Sequence, residues 1–370
     1  MIALDSRLKG KSVFLRPSMI KFRESNSADL EICRAAYKPL PLYLNEQMIK
    51  ILEDMGVDHD FFMDLQAKEV KRLSLATSSA GNASKFLKSR SVGDKINLPW
   101  FIKKISNLQL SFRDDKFLAD VVEAAVLIEL RALKYKARIP VKDGFTLLGI
   151  MDETGILEEG QIFCIVDIDG KAKVITGENS QRVIITRSPA LHPGDVQRAT
   201  AVTVPEDSPL MRLRNCICFS QKGSRDLPSK LSGGDLDGDD YHIIFDPNAQ
   251  CKVDYMPAEY AKQKPLKLNR QVEREDMTEF FVKFMETDQL GRICVAHKII
   301  ADNSDEGVRD KRCVLLSEMA STAVDYSKTG IPVCSQIAIL PEFAKNINRL
   351  RLLYPDILED VQISWHLVHM

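Results

Sequence analysis

Between Leu231 and Phe245 the chain reads L-S-G-G-D-L-D-G-D-D-Y-H-I-I-F, with Asp235, Asp237 and Asp239 at alternate positions. In extended backbone, residues two apart point the same way, so three carboxylates are expected to converge on one side. Anions so close repel each other strongly unless a cation sits among them. Hard carboxylate oxygens select Mg²⁺, Ca²⁺ or Mn²⁺ over Zn²⁺. Gly233, Gly234 and Gly238 let the backbone bend tightly and approach a ligand. An EF-hand also opens D-x-D-x-D, but it wants Gly at loop position 6 and Glu at position 12. Counted from Asp235, those positions are Asp240 and Asp246. The flanks, C-I-C-F-S-Q at 216–221 and Tyr241 to Phe245, are short β-type runs and not helices. A strand feeding a carboxylate triad suits two-metal phosphoryl chemistry: one ion activates an attacking hydroxyl and the other clamps the triphosphate and leaving group. The local chemistry leaves the substrate open.

The segments before the loop must hold it in place. From Arg138 the hydrophobic period is two: R-I-P-V-K, F-T-L-L-G-I-M, Q-I-F-C-I-V-D-I, A-K-V-I-T and R-V-I-I-T-R are separated by turn signals. So many short strands in about 100 residues predict a closed or nearly closed barrel, with the carboxylate loop near its end. D-I-D-G at 167–170 reads as a hairpin, and Asp152-Glu153-Thr154-Gly155 as turn chemistry. Leu42 to Arg90 has helical spacing, with Leu44, Met48, Ile51 and Leu52 on one face, Asn45 as a cap and a break at 78–84. A further helix is expected at Asp115 to Lys136, with Phe117, Val121, Ala124, Ala125 and Ile128 inward. The basic stripe at its end, Arg131, Lys134, Tyr135 and Arg138, reads as a solvated face favoured by the helix dipole. Asp276 to Ala301 and Cys313 to Tyr326 are expected as long helices, with Phe281, Phe284 and Met285 in the core and Gly291 as a kink or close-packing point. Residues 1–26 look like strands and turns, with alternating Val13, Leu15, Ile20 and Phe22 among Lys9, Lys11, Arg16, Lys21 and Arg23. A sheet-like piece too short to fold alone suggests a partial polypeptide.

With 370 residues the chain can bury a large core in two or three units, and 45% hydrophobic with 28% charged residues is ordinary globular composition. No apolar run approaches the ~18 residues that span a bilayer, and the N-terminal stretch lacks the apolar region of a signal peptide. Eight cysteines without a C-x-x-C pair read as reduced thiols of an intracellular protein, and no Cys/His cluster has zinc spacing. A net charge of −1 argues against a simple basic nucleic-acid coat, but it is compatible with positive charge confined to a channel.

R-S-P-A-L-H-P-G-D at 187–195 and F-S-Q-K-G-S-R-D-L-P-S-K-L-S-G-G-D-L-D-G-D at 219–239 resemble the catalytic region of the eukaryotic cell-encoded RNA-dependent RNA polymerases of RNA silencing. Supporting stretches are L-R-P-S-M-I-K-F at 15–22, L-L-G-I-M-D-E-T-G-I-L-E-E-G-Q-I-F at 147–163, L-G-R-I at 290–293 and S-T-A-V-D-Y-S-K-T-G at 321–330. The resemblance implies an α+β chain with a double-psi β-barrel polymerase core. Residues 1–26 would be the tail of a first barrel, 27–133 a helical connector, 134–255 the complete second barrel and 256–370 a helical region.

The implied activity is RNA-directed RNA polymerase: template-dependent nucleotidyl transfer that makes double-stranded RNA by a two-metal mechanism. Asp235, Asp237 and Asp239 would hold catalytic Mg²⁺, or Mn²⁺ in its place. Arg187 would contact the ribose hydroxyls of the incoming nucleotide, with His192 in the same motif; a histidine packed on backbone is the reading preferred over proton transfer. Arg16 and Lys21 resemble first-barrel basic residues that face the nucleotide. Lys222, Arg225 and Lys230 stand close to the triad in sequence, where cations neutralise phosphates. Implied partners are a single-stranded RNA template, ribonucleoside triphosphates, the double-stranded RNA product and Dicer- or Argonaute-type silencing proteins, with no membrane, in nucleus or cytoplasm. The family's full chains are much longer, so the alternative is a truncated, catalytically incomplete RNA- or nucleotide-binding remnant.

Overall fold

The computed structural model describes residues 2–20, 27, 29, 31–168, 170–176, 182–260 and 264–333. The chain divides into two compact units: Met1–Leu42, Lys142–Pro247 and Asp254–Tyr260 in one, and Tyr43–Val141, Asn248–Val253 and Ala261–Met370 in the other. The strands are β1 (Leu40–Tyr43), β2 (Pro140–Met151), β3 (Gln161–Ile168), β4 (Lys171–Val174), β5 (Val183–Arg187), β6 (Val196–Ala201), β7 (Cys216–Phe219) and β8 (Asp240–Ile244). The helices are α1 (Glu46–Asp54), α2 (His59–Ala76), α3 (Ala80–Ser89), α4 (Leu98–Asn107), α5 (Lys116–Lys136), α6 (Leu227–Lys230), α7 (Arg274–Thr287), α8 (Leu290–Asn303), α9 (Lys311–Val324) and α10 (Tyr326–Thr329).

In the first unit the strands run in the order β2-β7-β3-β6-β5-β8, and β8 returns to β2, so six strands close a barrel. The β2–β7 and β3–β6 pairs are parallel; β3–β7, β5–β6, β5–β8 and β2–β8 are antiparallel. The nearly unbroken apolar run of β3 follows from its two buried faces. Ile162, Cys164 and Val166 join Ile217, Phe219 and Ile243 in one core, while Phe163 and Ile165 join Ile150, Leu210 and Cys218 in another. As expected of a hairpin, Asp167 lies opposite Ala172 and Ile168 opposite Lys171. Residues 2–20 contain no strand, contrary to expectation: only a 3-10 turn at Pro17–Met19 is regular, and Val13, Phe14 and Leu15 are exposed. Alternation alone makes no strand without a hydrogen-bonding neighbour.

The second unit is helical, and its caps follow the sequence signals. The Asn45 side chain accepts from Met48 N at 2.8 Å, and Asp115 from Leu118 N at 3.0 Å. The break expected at 78–84 is shorter, because α3 already begins at Ala80 behind a Ser79 cap, and three further expectations need correction. First, β1 stands where the helical pattern was expected to begin. Second, α5 buries Leu118, Val122, Ala125, Val126, Leu130 and Leu133, leaving Phe117 and Ile128 64% and 65% exposed. Two apolar stripes lie one residue apart on this helix, and the leucine-rich one packs. Third, the stretch 276–301 is two helices, not one. The Asp288 backbone is extended and its side chain accepts from Leu290 N at 3.1 Å, so the break lies at Asp288 and Gly291 sits in the first turn of α8. No residue of α7 is buried; Phe281 and Met285 are exposed, and Phe280 stacks on Tyr326 at 5.6 Å. Arg131, Tyr135 and Arg138 are exposed as expected, with Arg138 4.3 Å over the Tyr43 ring. Among the described residues no helix is long and apolar enough to cross a membrane, and the seven described cysteines are free thiols.

Candidate metal centre

The strand register assembles the site. On β8, Asp240 lies opposite Leu148 of β2 and Tyr241 opposite Arg187 of β5. Asp239 is therefore the last loop residue before the barrel wall, and Arg187, the final residue of β5, arrives beside it. Arg187 donates through Nη2 to Asp239 Oδ1 at 2.7 Å and through Nη1 to the Ser232 carbonyl at 3.0 Å. The Asp235 N–H donates to Asp239 Oδ2 at 3.1 Å. One carboxylate oxygen each from Asp235, Asp237 and Asp239 lies within 4.8 Å of the others.

The convergence does not come from a pleated strand, as the alternation suggested. Residues 236–238 form a bend in which Leu236 has φ +61° and Gly238 φ +139°. A left-handed leucine costs about 1–2 kcal/mol. Its side chain packs against the barrel core, which offsets that cost and turns the flanking aspartates outward. Gly238 has open space where a Cβ would stand, so a ligand can approach its backbone.

Tyr241 is the floor of the loop and is fully buried. A Cβ on Gly149 would lie 2.4 Å from its ring, and one on Gly234 2.4 Å from its hydroxyl, so both glycines make room for it. Burial, then the Asp239 charge, pushes the Tyr241 phenol above its ordinary range and keeps it neutral. Burial works against the Arg187 charge, but the hydrogen bond and charge of Asp239 outweigh it and raise its pKa. His242 shares hydrogen bonds with Thr146 Oγ1 at 2.8 Å and Ser188 Oγ at 3.0 Å, and burial lowers its pKa to about 4. Arg34 pairs with Asp240 at 2.8 Å.

Sequence reasoning missed Asp195. It is fully buried, and Oδ2 accepts from Leu191 N at 3.1 Å and His192 N at 3.0 Å, while Oδ1 accepts from Ser232 N at 3.2 Å. Tyr260 Oη donates to the same carboxylate at 2.9 Å. One side chain thus ties the 187–195 motif to the aspartate loop and to the 254–260 segment. Burial lifts its pKa to about 6 against the pull of those bonds. The available signal was H-P-G-D itself, a turn with a capping residue, Pro at its first position and Asp at its third. His192 is that cap: its Nδ1 accepts from Gly194 N at 3.0 Å, and burial lowers its pKa.

Of the other nominated residues, Arg187 is in contact with the triad, through Asp239. Lys222 pairs with Glu158 at 2.5 Å and Lys230 with Glu159 at 3.6 Å. Arg225 donates through Nη2 to the Ser229 carbonyl at 2.7 Å and the Ala258 carbonyl at 2.8 Å, and through Nε to Ser229 Oγ at 3.2 Å. Arg16 pairs with Glu153. Lys21 lies outside the described residues.

Residues 1–358 match the family RNA dependent RNA polymerase. The chain is 36% identical to the probable RNA-dependent RNA polymerase SHL2 of Oryza sativa subsp. japonica, over 94% of this chain and 28% of that one. It is 32% identical to RNA-dependent RNA polymerase 2 of Arabidopsis thaliana, over 94% of this chain and 31% of the relative. The chain thus spans about three-tenths of the length of these relatives. Among solved structures, the RNA dependent RNA polymerase QDE-1 from Thielavia terrestris superposes with a TM-score of 0.63 at 21% identity, covering 83% of this chain and 38% of that one. The fold is that of a double-psi β-barrel polymerase core with flanking helices. By sequence match along almost its whole length, this chain belongs to the RNA-dependent RNA polymerase family.

Proposed function

We propose that this chain carries the metal-binding barrel of an RNA-directed RNA polymerase that adds ribonucleotides to an RNA strand on a single-stranded RNA template. The observation that carries the proposal is the convergence of three aspartate oxygens within 4.8 Å beside a charged arginine. The donor set is all hard oxygen on exposed or half-buried side chains, which fits Mg²⁺ or Mn²⁺. When bound, such ions activate an attacking hydroxyl and neutralise triphosphate charge.

Asp235, Asp237 and Asp239 supply the ligands. Arg187 fixes Asp239 and keeps a positive charge at the site. It is also assigned to the nucleotide ribose, because its planar set of donors suits hydroxyl or phosphate contact and RNA selectivity needs a partner for the 2′-OH. His192 shapes the loop that carries that contact. Lys222 and Lys230 are assigned to phosphates. The product is double-stranded RNA for silencing, with Dicer- or Argonaute-type proteins as its consumers, inside the cell in nucleus or cytoplasm.

The test is primed and primer-free RNA synthesis on a single-stranded template with Mg²⁺, comparing wild type with Asp237→Ala. Product that requires Mg²⁺ and disappears in the variant supports the reading; equal product from both sinks it. A second reading, a catalytically incomplete RNA- or nucleotide-binding remnant, draws on the strandless residues 2–20 and on Arg16 already held by Glu153. It predicts metal and nucleotide binding with no product from either protein.

A further inference from the structure

The turn from Asp152 to Gly160, between β2 and β3, gathers cations from separate stretches of the barrel unit. Glu153 pairs with Arg16, and its carbonyl accepts from Arg7 Nη1 at 3.1 Å. Glu158 pairs with Lys222 at 2.5 Å and Glu159 with Lys230 at 3.6 Å. The turn is built to hold its shape. Buried Asp152 accepts from Thr154 N and Leu157 N, each at 2.8 Å, and from Thr154 Oγ1 at 2.5 Å. Ser220 Oγ donates to the Leu157 carbonyl at 2.8 Å. Gly223, at φ +107°, runs so close along Glu159 that a Cβ there would lie 2.4 Å from its carboxyl carbon. The turn is therefore docked on the segment that leads into the aspartate loop.

Carboxylate and phosphate oxygens accept from the same ammonium and guanidinium donors. The Arg16 and Lys222 pairs are also solvent-exposed, at 50% and 41% for the cations, whereas Lys230 is half-buried at 23%; exposed pairs are individually weak. A nucleic-acid strand that sheds counterions on binding competes well for such cations. We propose that the Asp152–Gly160 turn is a built-in phosphate decoy: Glu153, Glu158 and Glu159 hold Arg16, Lys222 and Lys230 in position, and a phosphate-bearing ligand takes those cations over. The carboxylates space the cations before the ligand arrives and set a threshold on its charge. The ligand's identity rests on the polymerase reading; the phosphate is that of a strand backbone or of a nucleoside triphosphate.

The experiment uses the full chain as wild type, as E158Q/E159Q and as E206Q/D207N, which removes the same two charges from an exposed turn elsewhere in the barrel unit. Affinity is read by fluorescence anisotropy for a single-stranded RNA with a 5′-hydroxyl, and by competition with a ribonucleoside triphosphate. E158Q/E159Q is expected to bind roughly 3- to 10-fold tighter, with the gain shrinking as salt rises. Adding Lys222→Ala and Lys230→Ala to that variant is expected to erase the gain. A gain for the RNA alone assigns the strand backbone, and a gain for the triphosphate alone assigns the nucleotide. The decoy is overturned if wild type binds but E158Q/E159Q gains nothing, or if the control gains as much. Wild type binding neither probe overturns the polymerase reading itself.

Discussion

The Asp235–Asp240 loop and the Asp152–Glu159 turn hold four carboxylates each, yet they dispose of them differently. In the loop, three carboxylates lean together with Arg187 on Asp239, while Asp240, on the opposite side of the strand, meets Arg34. In the turn, Asp152 is turned inward to cap its own backbone, and each glutamate faces its own cation. Burial also runs oppositely. Asp152 is fully buried, and burial alone would raise its pKa, but bonds from Leu157 and Thr154 outweigh it and hold the carboxyl below its usual range. Asp235 and Asp237 are exposed. Acidic density therefore does not define a cation site. What sets the loop apart is backbone geometry that turns its carboxylates toward one point.

Removing Arg187, which orients Asp239, has the largest expected effect on ion affinity. Arg187→Ala is expected to weaken Mn²⁺ binding roughly 10- to 100-fold, as loss of a ligand-orienting partner does, with calorimetric titration as the measurement. Unchanged affinity would mean that the bend alone sets the convergence.

The second effect contrasts two buried aspartates by pH. Asp195 has its pKa raised to about 6, so its stabilisation is full below about 3.9 and is lost as pH rises through 6. That amounts to roughly 3 kcal/mol across the window. Asp152 is lowered, so its contribution is present above the unfolded value and lost as pH falls through the folded one. Urea unfolding of Asp195→Asn and Asp152→Asn against wild type should give difference curves of opposite slope in acid; slopes of the same sign would refute this account. The smallest effect belongs to the turn's surface pairs. Glu158→Gln should change unfolding free energy by less than about 1 kcal/mol.

Much of this was legible because it depends on local pattern. The triad, the period-two runs that become β2, β3 and β5, and the Asn45 and Asp115 caps each follow from a spacing or a side-chain type. What escaped depends on partners far along the chain. Asp195 becomes a hub only because Ser232 and Tyr260 arrive from elsewhere. The inward face of α5 was ambiguous because Phe117 and Leu118 both begin apolar stripes, and only packing chooses. The left-handed Leu236 was invisible because nothing in D-L-D announces a residue outside its preferred backbone region. The glutamate partners of Lys222, Lys230 and Arg16 also escaped, because they sit up to 137 residues away.

The return of β8 to β2 also fixes when the site can exist. Gly144 lies opposite Ile244, a hundred residues further along the chain, and the same strand must also register on β5. Contacts of such long sequence separation are slow to form, because the chain entropy is lost before the contact is made. The aspartates hang from the first residue of that closing strand, so they converge only once the ring is complete. On the proposed reading of the triad as a cation site, ion affinity would be a clock for folding: it would report closure directly, and a bound cation would hold the finished ring shut by mass action.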